Sequence, residues 1–207
     1  MYNCAVFDVD GTLIDTEKAI IKSLQKVMLE ESGKAYEHEE LFFALGIPGA
    51  VTLSRLGIKD TGRVIEKWLE YMDSYKKEVS VFPGIREVLE HLSSRGVIVG
   101  IVTSKTKIEL ERDMTAFGLL RHVAFTVCAD DTKCHKPHGE PILKFMEISG
   151  AVPSKTIYVG DTIYDMKCAK AAGVDFGLAL WGTKDPDGIE AVFKFTAPRD
   201  MLNLFLL

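Results

Sequence analysis

Short, almost unbroken apolar runs punctuate the chain, and each stops at polar or acidic residues. Cys4-Ala-Val-Phe7 ends at Asp8, Val97-Ile-Val-Gly-Ile-Val102 at Thr103-Ser104, and Ala124-Phe-Thr-Val-Cys128 just before Asp130-Asp131. Ile157-Tyr-Val159 ends at Gly160-Asp161, and Val174 to Leu180 gives a fifth run ending near Trp181-Gly182. Continuous rather than alternating hydrophobicity is the pattern of strands buried on both faces of a parallel sheet.

Between these runs the apolar positions recur at helix spacing. Ile85, Val88, Leu89 and Leu92 follow Pro83 and end at Gly96, while Ile108, Leu110, Met114 and Phe117 follow Ser104 and end at Gly118. Ile142, Leu143, Phe145, Met146 and Ile148 follow Pro141 and end at Gly150, and Asp165 to Ala172 ends at Gly173. Strands alternating with helices predict a doubly wound, Rossmann-like α/β core with a parallel sheet.

One interval breaks the alternation. Residues 15–81 contain no convincing strand, yet Ile20, Leu24, Val27 and Met28 mark one amphipathic helix, with Asp15 or Thr16 as its N-cap. A second is marked by Ile65, Trp68, Leu69, Met72 and Tyr75. A single crossover needs far fewer residues, so residues 15–81 are expected to form a helical domain inserted after the first strand. The core is then residues 1–14 and 82–207.

Composition narrows the class of partner. Of 207 residues, 47% are hydrophobic and 27% charged, and the net charge of -5 comes without a basic tract, which argues against nucleic acid. No run is long enough to span a bilayer, and no signal peptide is evident, so a cytoplasmic protein without membrane attachment is expected, as monomer or homodimer. The four cysteines show no disulfide spacing. Cys128, Cys134, His135 and His138 lie within eleven residues, but lack the C-x2-C pair that usually opens a zinc site, so zinc is not expected.

The chemistry gathers at the ends of the predicted strands, where ligands bind in open α/β sheets. In Asp8-Val9-Asp10-Gly11-Thr12 the two carboxylates are two residues apart and face the same way in extended chain. Like charges so placed call for a cation or a shared proton, and Mg2+ takes such oxygen ligands; alone, the pattern also suits a calcium-loop fragment or a turn. Thr103-Ser104 offers a hydroxyl and helix-start amides for a phosphoryl oxygen, or simply a helix cap. Lys136-Pro137 places a cation in a loop. Asp161 and Asp165 follow the fourth strand, and capping explains only one of them.

Together the four segments resemble, in order, the four motifs of the haloacid dehalogenase superfamily. The insertion resembles the helical cap of its phosphoglycolate-phosphatase-like subfamily, and the likeness runs over essentially the whole chain. The resemblance implies a Mg2+-dependent phosphatase acting on a small phosphorylated metabolite. Asp8 would be the nucleophile, giving an aspartyl-phosphate, and Asp10 the acid and base. Thr103, Ser104 and Lys136 would bind the phosphoryl group. The metal would sit among Asp8, Asp10 and Asp161, with Asp165 as ligand or neighbour. One departure is the run Lys136-Pro-His-Gly-Glu-Pro141 in place of Lys-Pro-x-Pro, which bears on loop shape and not on the lysine; His138 reads as a surface loop residue.

Two alternatives share the fold. A phosphomutase of the β-phosphoglucomutase kind needs basic residues in the cap, whereas Leu45-Gly-Ile-Pro-Gly-Ala50 carries no charge. A non-catalytic binding module would ordinarily lack Asp8 or Asp10. Dehalogenation leaves Asp10 without a task. In the cap, Arg55 and Lys59 are the nearby cations, and Arg55 is the candidate for holding a second anionic group on the substrate.

Overall fold

Six parallel strands carry the core, and their order follows from which apolar runs can be covered on both faces. The computed structural model describes residues 1–205, so the last two residues of the expected core lie outside the described residues. In chain order the elements are β1 (Cys4–Phe7), β2 (Ile14–Asp15), α1 (Glu17–Ser32), α2 (Gly49–Arg55), α3 (Thr61–Ser74), β3 (Ser80–Val81), α4 (Ile85–Ser94) and β4 (Ile98–Val102). Then come α5 (Lys107–Thr115), β5 (Phe125–Val127), α6 (Glu140–Ser149), β6 (Thr156–Gly160), α7 (Ile163–Ala172), β7 (Asp175–Ala179) and β8 (Phe193–Phe195).

The sheet order is β5-β4-β1-β6-β7-β8. Every pairing in it is parallel. β1 and β6 are buried along their whole length, as the apolar runs Cys4–Phe7 and Ile157–Val159 require. Two apolar layers sandwich the sheet: Phe7, Leu89, Ile101 and Met114 belong to one, and Val6, Phe145, Tyr158 and Cys168 to the other. Because β4 and β6 flank β1 on opposite sides, the strand order reverses at β1, and the crevice beyond its carboxyl end opens at Asp8.

The sixth strand, Phe193–Phe195, was not expected. It is three residues of Phe-Lys-Phe at the sheet edge, too short and too alternating to stand out from a loop. Some expected core positions are exposed instead. Ile108, Leu143 and Ile148 face solvent although they fit helical spacing, because only the narrower stripe of Leu110 and Met114 on α5, and of Ile142 and Phe145 on α6, reaches the sheet.

Between β2 and β3 lie only helical segments, with an apolar cluster of their own that includes Leu24, Met28, Leu53, Val64 and Trp68. Inside it the Trp68 indole N–H donates to Ser23 Oγ at 2.8 Å, so the buried ring keeps a partner for its polar edge. β2 and β3 pair antiparallel, Ile14 with Val81 and Asp15 with Ser80, so the two ends of the insertion leave the core side by side. No helix among the described residues is long and apolar enough to cross a membrane.

Candidate active site

Asp8 follows β1 directly, and its amide donates to Val159 O of β6 at 2.9 Å, which extends the sheet register into the reactive segment. The side chain is 2% exposed. Lys136 Nζ stands 2.9 Å from Asp8 Oδ1 and 2.7 Å from Asp165 Oδ1, itself buried. Asp8, Asp161 and Asp165 offer oxygens that lie within 4.8 Å of one another. Lys136 therefore pairs with two of three mutually close buried carboxylates, Asp8 and Asp165. Burial raises Asp8 above the ordinary carboxylate range, Lys136 opposes the shift, and the neighbouring Asp165 and Asp10 add to it. Asp161 is pushed well above its ordinary range by burial and by the Asp165 and Asp8 charges. For Lys136, burial works against the charge, but Asp165 and Asp8 outweigh it and raise the ammonium pKa.

That imbalance suits a divalent cation with oxygen ligands. Asp8, Asp161 and Asp165 are the carboxylates close enough together to hold one. Asp165 is otherwise engaged: Oδ1 accepts from Lys136 and the Tyr158 hydroxyl, and Oδ2 accepts from the Thr162 amide and hydroxyl. Four hydrogen bonds make it an anchor for Lys136 and for the start of α7. Thr12 Oγ1 donates to Asp161 Oδ1 at 3.0 Å, and Trp181 Nε1 to Thr12 O at 2.9 Å. Only glycine fits this seat. Gly11 has φ of 76°, and a Cβ there would lie 2.2 Å from Asp161 Oδ2. A Cβ on Gly182 would fall 1.6 Å from Gly11 O.

A second group surrounds Asp10. Its Oδ1 accepts from the Thr16 hydroxyl at 2.7 Å and lies 2.9 Å from Lys105 Nζ. Lys105, buried, also reaches Asp113 Oδ2 at 2.8 Å, and Arg112 Nε donates to Asp113 Oδ1 at 2.6 Å. Burial would lower the Lys105 pKa, but Asp10 and Asp113 raise it instead. Lys105, two residues beyond Thr103 and past the end of β4, gives no signal of this in the sequence, where a lysine in a polar stretch reads as solvated. Thr16 precedes α1 as expected, but its hydroxyl serves Asp10 rather than capping the helix.

Thr103 and Ser104 lie at the end of β4, yet neither caps α5. The helix begins at Lys107 behind Thr106, whose hydroxyl forms a reciprocal capping box with Glu109. Ser104 Oγ instead donates to Gly46 O of the insertion at 2.9 Å, while Thr103 is buried with its Oγ1 accepting the Lys105 amide at 3.2 Å. Asp8 and Asp10 face a cavity of about 310 Å3 between core and insertion. Arg55 does not line it; its Nη1 donates to the Tyr164 hydroxyl at 3.1 Å. Lys59 and His138 do not line it either, whereas His135 does.

A family model described as haloacid dehalogenase-like hydrolase matches residues 5–179, which span from β1 to the end of β7. The chain belongs to this family. A phosphoglycolate phosphatase of Aquifex aeolicus is 30% identical over 204 residues, covering 96% of this chain and 94% of that protein. The pyrophosphatase PpaX of Oceanobacillus iheyensis is 28% identical over 187 residues, covering 90% and 87%. Among solved structures, a Lactobacillus plantarum protein provisionally named phosphoglycolate phosphatase superposes with a TM-score of 0.90 at 31% identity, over 99% of this chain and 100% of its own. This haloacid dehalogenase-like protein is thus an enzyme, a hydrolase, and these relatives are named as phosphatases. Its fold brings Asp8, Asp10, Lys136, Asp161 and Asp165 together around one strand end.

Proposed function

We propose that the protein is a Mg2+-dependent phosphatase that hydrolyses a small phosphomonoester through a phosphorylated Asp8. The observation that carries this reading is the buried set of three close carboxylates, two of them paired with Lys136, with Asp8 lining the cavity. Mg2+ bound there would polarise a phosphoryl oxygen and remove the repulsion between an anionic nucleophile and an anionic substrate. Every other task falls to the chain. Lys136 orients the Asp8 carboxylate for in-line attack on phosphorus. As the new bond to Asp8 Oδ forms, the bond to the alcohol oxygen breaks and Asp10 supplies that oxygen with a proton. Asp10 then takes a proton from water as it attacks phosphorus, breaking the bond to Asp8 and releasing phosphate. The Thr103 hydroxyl, the Ser104 amide and Lys136 are assigned to the equatorial oxygens.

Residues 15–81 are assigned as a cap that closes over this site, with the β2–β3 ribbon as its hinge. A lid excludes stray water while the alcohol departs and later admits one molecule. The mutase alternative is disfavoured by the cavity wall that the cap supplies, which carries no charged residue. Hydrolysis of p-nitrophenyl phosphate by the purified chain, with Mg2+ and then with EDTA, tests the reading. Turnover that survives exhaustive chelation would sink it.

A further inference from the structure

The cavity before Asp8 and Asp10 has two unlike walls. At about 310 Å3 it stands at the lower end of sites that enclose whole organic ligands. Its far wall comes from the insertion and includes Ile20, Ile47, Ile65, Trp68, Leu69 and Met72, with no charged residue. The cations lining it are Lys105 and Arg112, both on the core side and both already paired, Lys105 with Asp10 and Asp113 and Arg112 with Asp113. Glu109 and Asp130 line that same side. A second anionic group on the substrate would lose its hydration against an apolar wall and meet acids beside paired bases. An apolar group would instead displace water that the wall holds poorly.

Resting on the phosphatase reading, we infer that the alcohol released is uncharged and bulky, mostly apolar or aromatic. The substrate class is a monoester of such an alcohol, rather than pyrophosphate or a phosphorylated short acid of the kind for which the relatives are named. The phosphoryl group sits at Asp8, the ester oxygen faces Asp10, and the remainder packs on Trp68, Leu69 and Met72.

The test compares 2-phenylethyl phosphate, ethyl phosphate, 2-phosphoglycolate and pyrophosphate with the full chain in Mg2+. The three esters are all alkyl phosphates, which keeps leaving-group activation from deciding their ranking. The expected result is a kcat/KM for the phenylethyl ester at least about tenfold above each of the others, from burial of the ring. Leu69→Arg, or Ile65→Arg at a second half-buried lining position, should move the ratio of phosphoglycolate to phenylethyl ester upward by at least about tenfold by adding an unpaired cation. A wild-type advantage below tenfold, or a preference for either doubly anionic compound, overturns the inference and leaves the phosphatase reading standing. No hydrolysis of any compound by folded protein sinks that reading instead. Calorimetry with 3-phenylpropylphosphonate, propylphosphonate and 3-phosphonopropionate then decides the cavity by itself. Binding of the phenyl compound at least about tenfold tighter than the other two supports the inference, and anything less overturns it.

Discussion

Two charged clusters flank the same strand end and are built on opposite plans. Around Asp8, three buried carboxylates lie close together and Lys136 pairs with two of them, Asp8 and Asp165. Around Asp10, two carboxylates, Asp10 and Asp113, face two bases, Lys105 and Arg112. The second cluster pairs its two acids with two bases inside the chain, and Asp10 alone of its acids faces the cavity. The first crowds three carboxylates where water cannot screen them, which holds Asp8 and Asp161 above the ordinary carboxylate range, and folding tolerates that arrangement only at a cost. Carboxylates crowded in a buried site are where a cation is expected; carboxylates paired within the chain, as Asp10 is with Lys105, are held in position.

The largest effect that sharpens this contrast is expected at Asp8. Asp8→Asn should reduce phosphatase turnover at least about a thousandfold, since the amide is no nucleophile, while circular dichroism stays unchanged. Turnover near wild type would remove Asp8 from the chemistry. The metal comes next. At Mg2+ about 100 times its Kd, linkage adds about 2.7 kcal/mol. For a chain of this length that raises Tm by about 5–10 °C. Differential scanning fluorimetry with Mg2+ and with EDTA should show the shift in wild type and lose it in Asp161→Asn. An undiminished shift in that variant would place the cation elsewhere.

The balanced cluster should respond in stability and not in metal binding. Lys105→Met leaves Asp10 and Asp113 with one base fewer in a largely buried setting, where breaking a pair costs about 3–5 kcal/mol. Since the side chains of Lys105 and Asp113 keep 8% and 12% exposure, some screening survives and the lower figure is the expectation. Urea denaturation gives the loss, and the Mg2+-induced Tm shift should persist in the variant. If the shift vanished while Asp161→Asn retained it, the two clusters would have exchanged roles.

How far these clusters could be read from the chain differs for a physical reason. Asp8, Asp10, Asp161 and Asp165 sit at ends of apolar runs, and strand ends in a parallel sheet converge, so their meeting was legible. Lys105 was not, because a lysine in a polar loop looks solvated until tertiary packing buries it. The same holds for Ser104, which reads as a phosphoryl binder or a helix cap and whose hydroxyl bonds to Gly46 O. Helical periodicity located the insertion's two main helices. It did not show the β2–β3 ribbon, where two residues a side leave no period to detect. Nor did it assign Arg55, whose position depends on how the insertion leans on α7.

Arg55 gives the smallest expected effect and the finest test of where selectivity lies. Its guanidinium bonds the Tyr164 hydroxyl at 3.1 Å and sits 5.9 Å from that ring, outside the wall of the cavity. An exposed contact of this kind is worth about 0.5–1 kcal/mol, and only in the arrangement where insertion and core touch. Arg55→Ala should therefore change kcat/KM by at most about fivefold, through looser closure. The change should be equal for 2-phosphoglycolate and 2-phenylethyl phosphate, because looser closure acts before either substrate is distinguished. Leu69→Arg, inside the cavity, is expected to change their ratio instead. A rise in KM confined to phosphoglycolate in Arg55→Ala would return to Arg55 the anion-holding role that the sequence suggested, and would move the selective surface from the apolar wall to the rim.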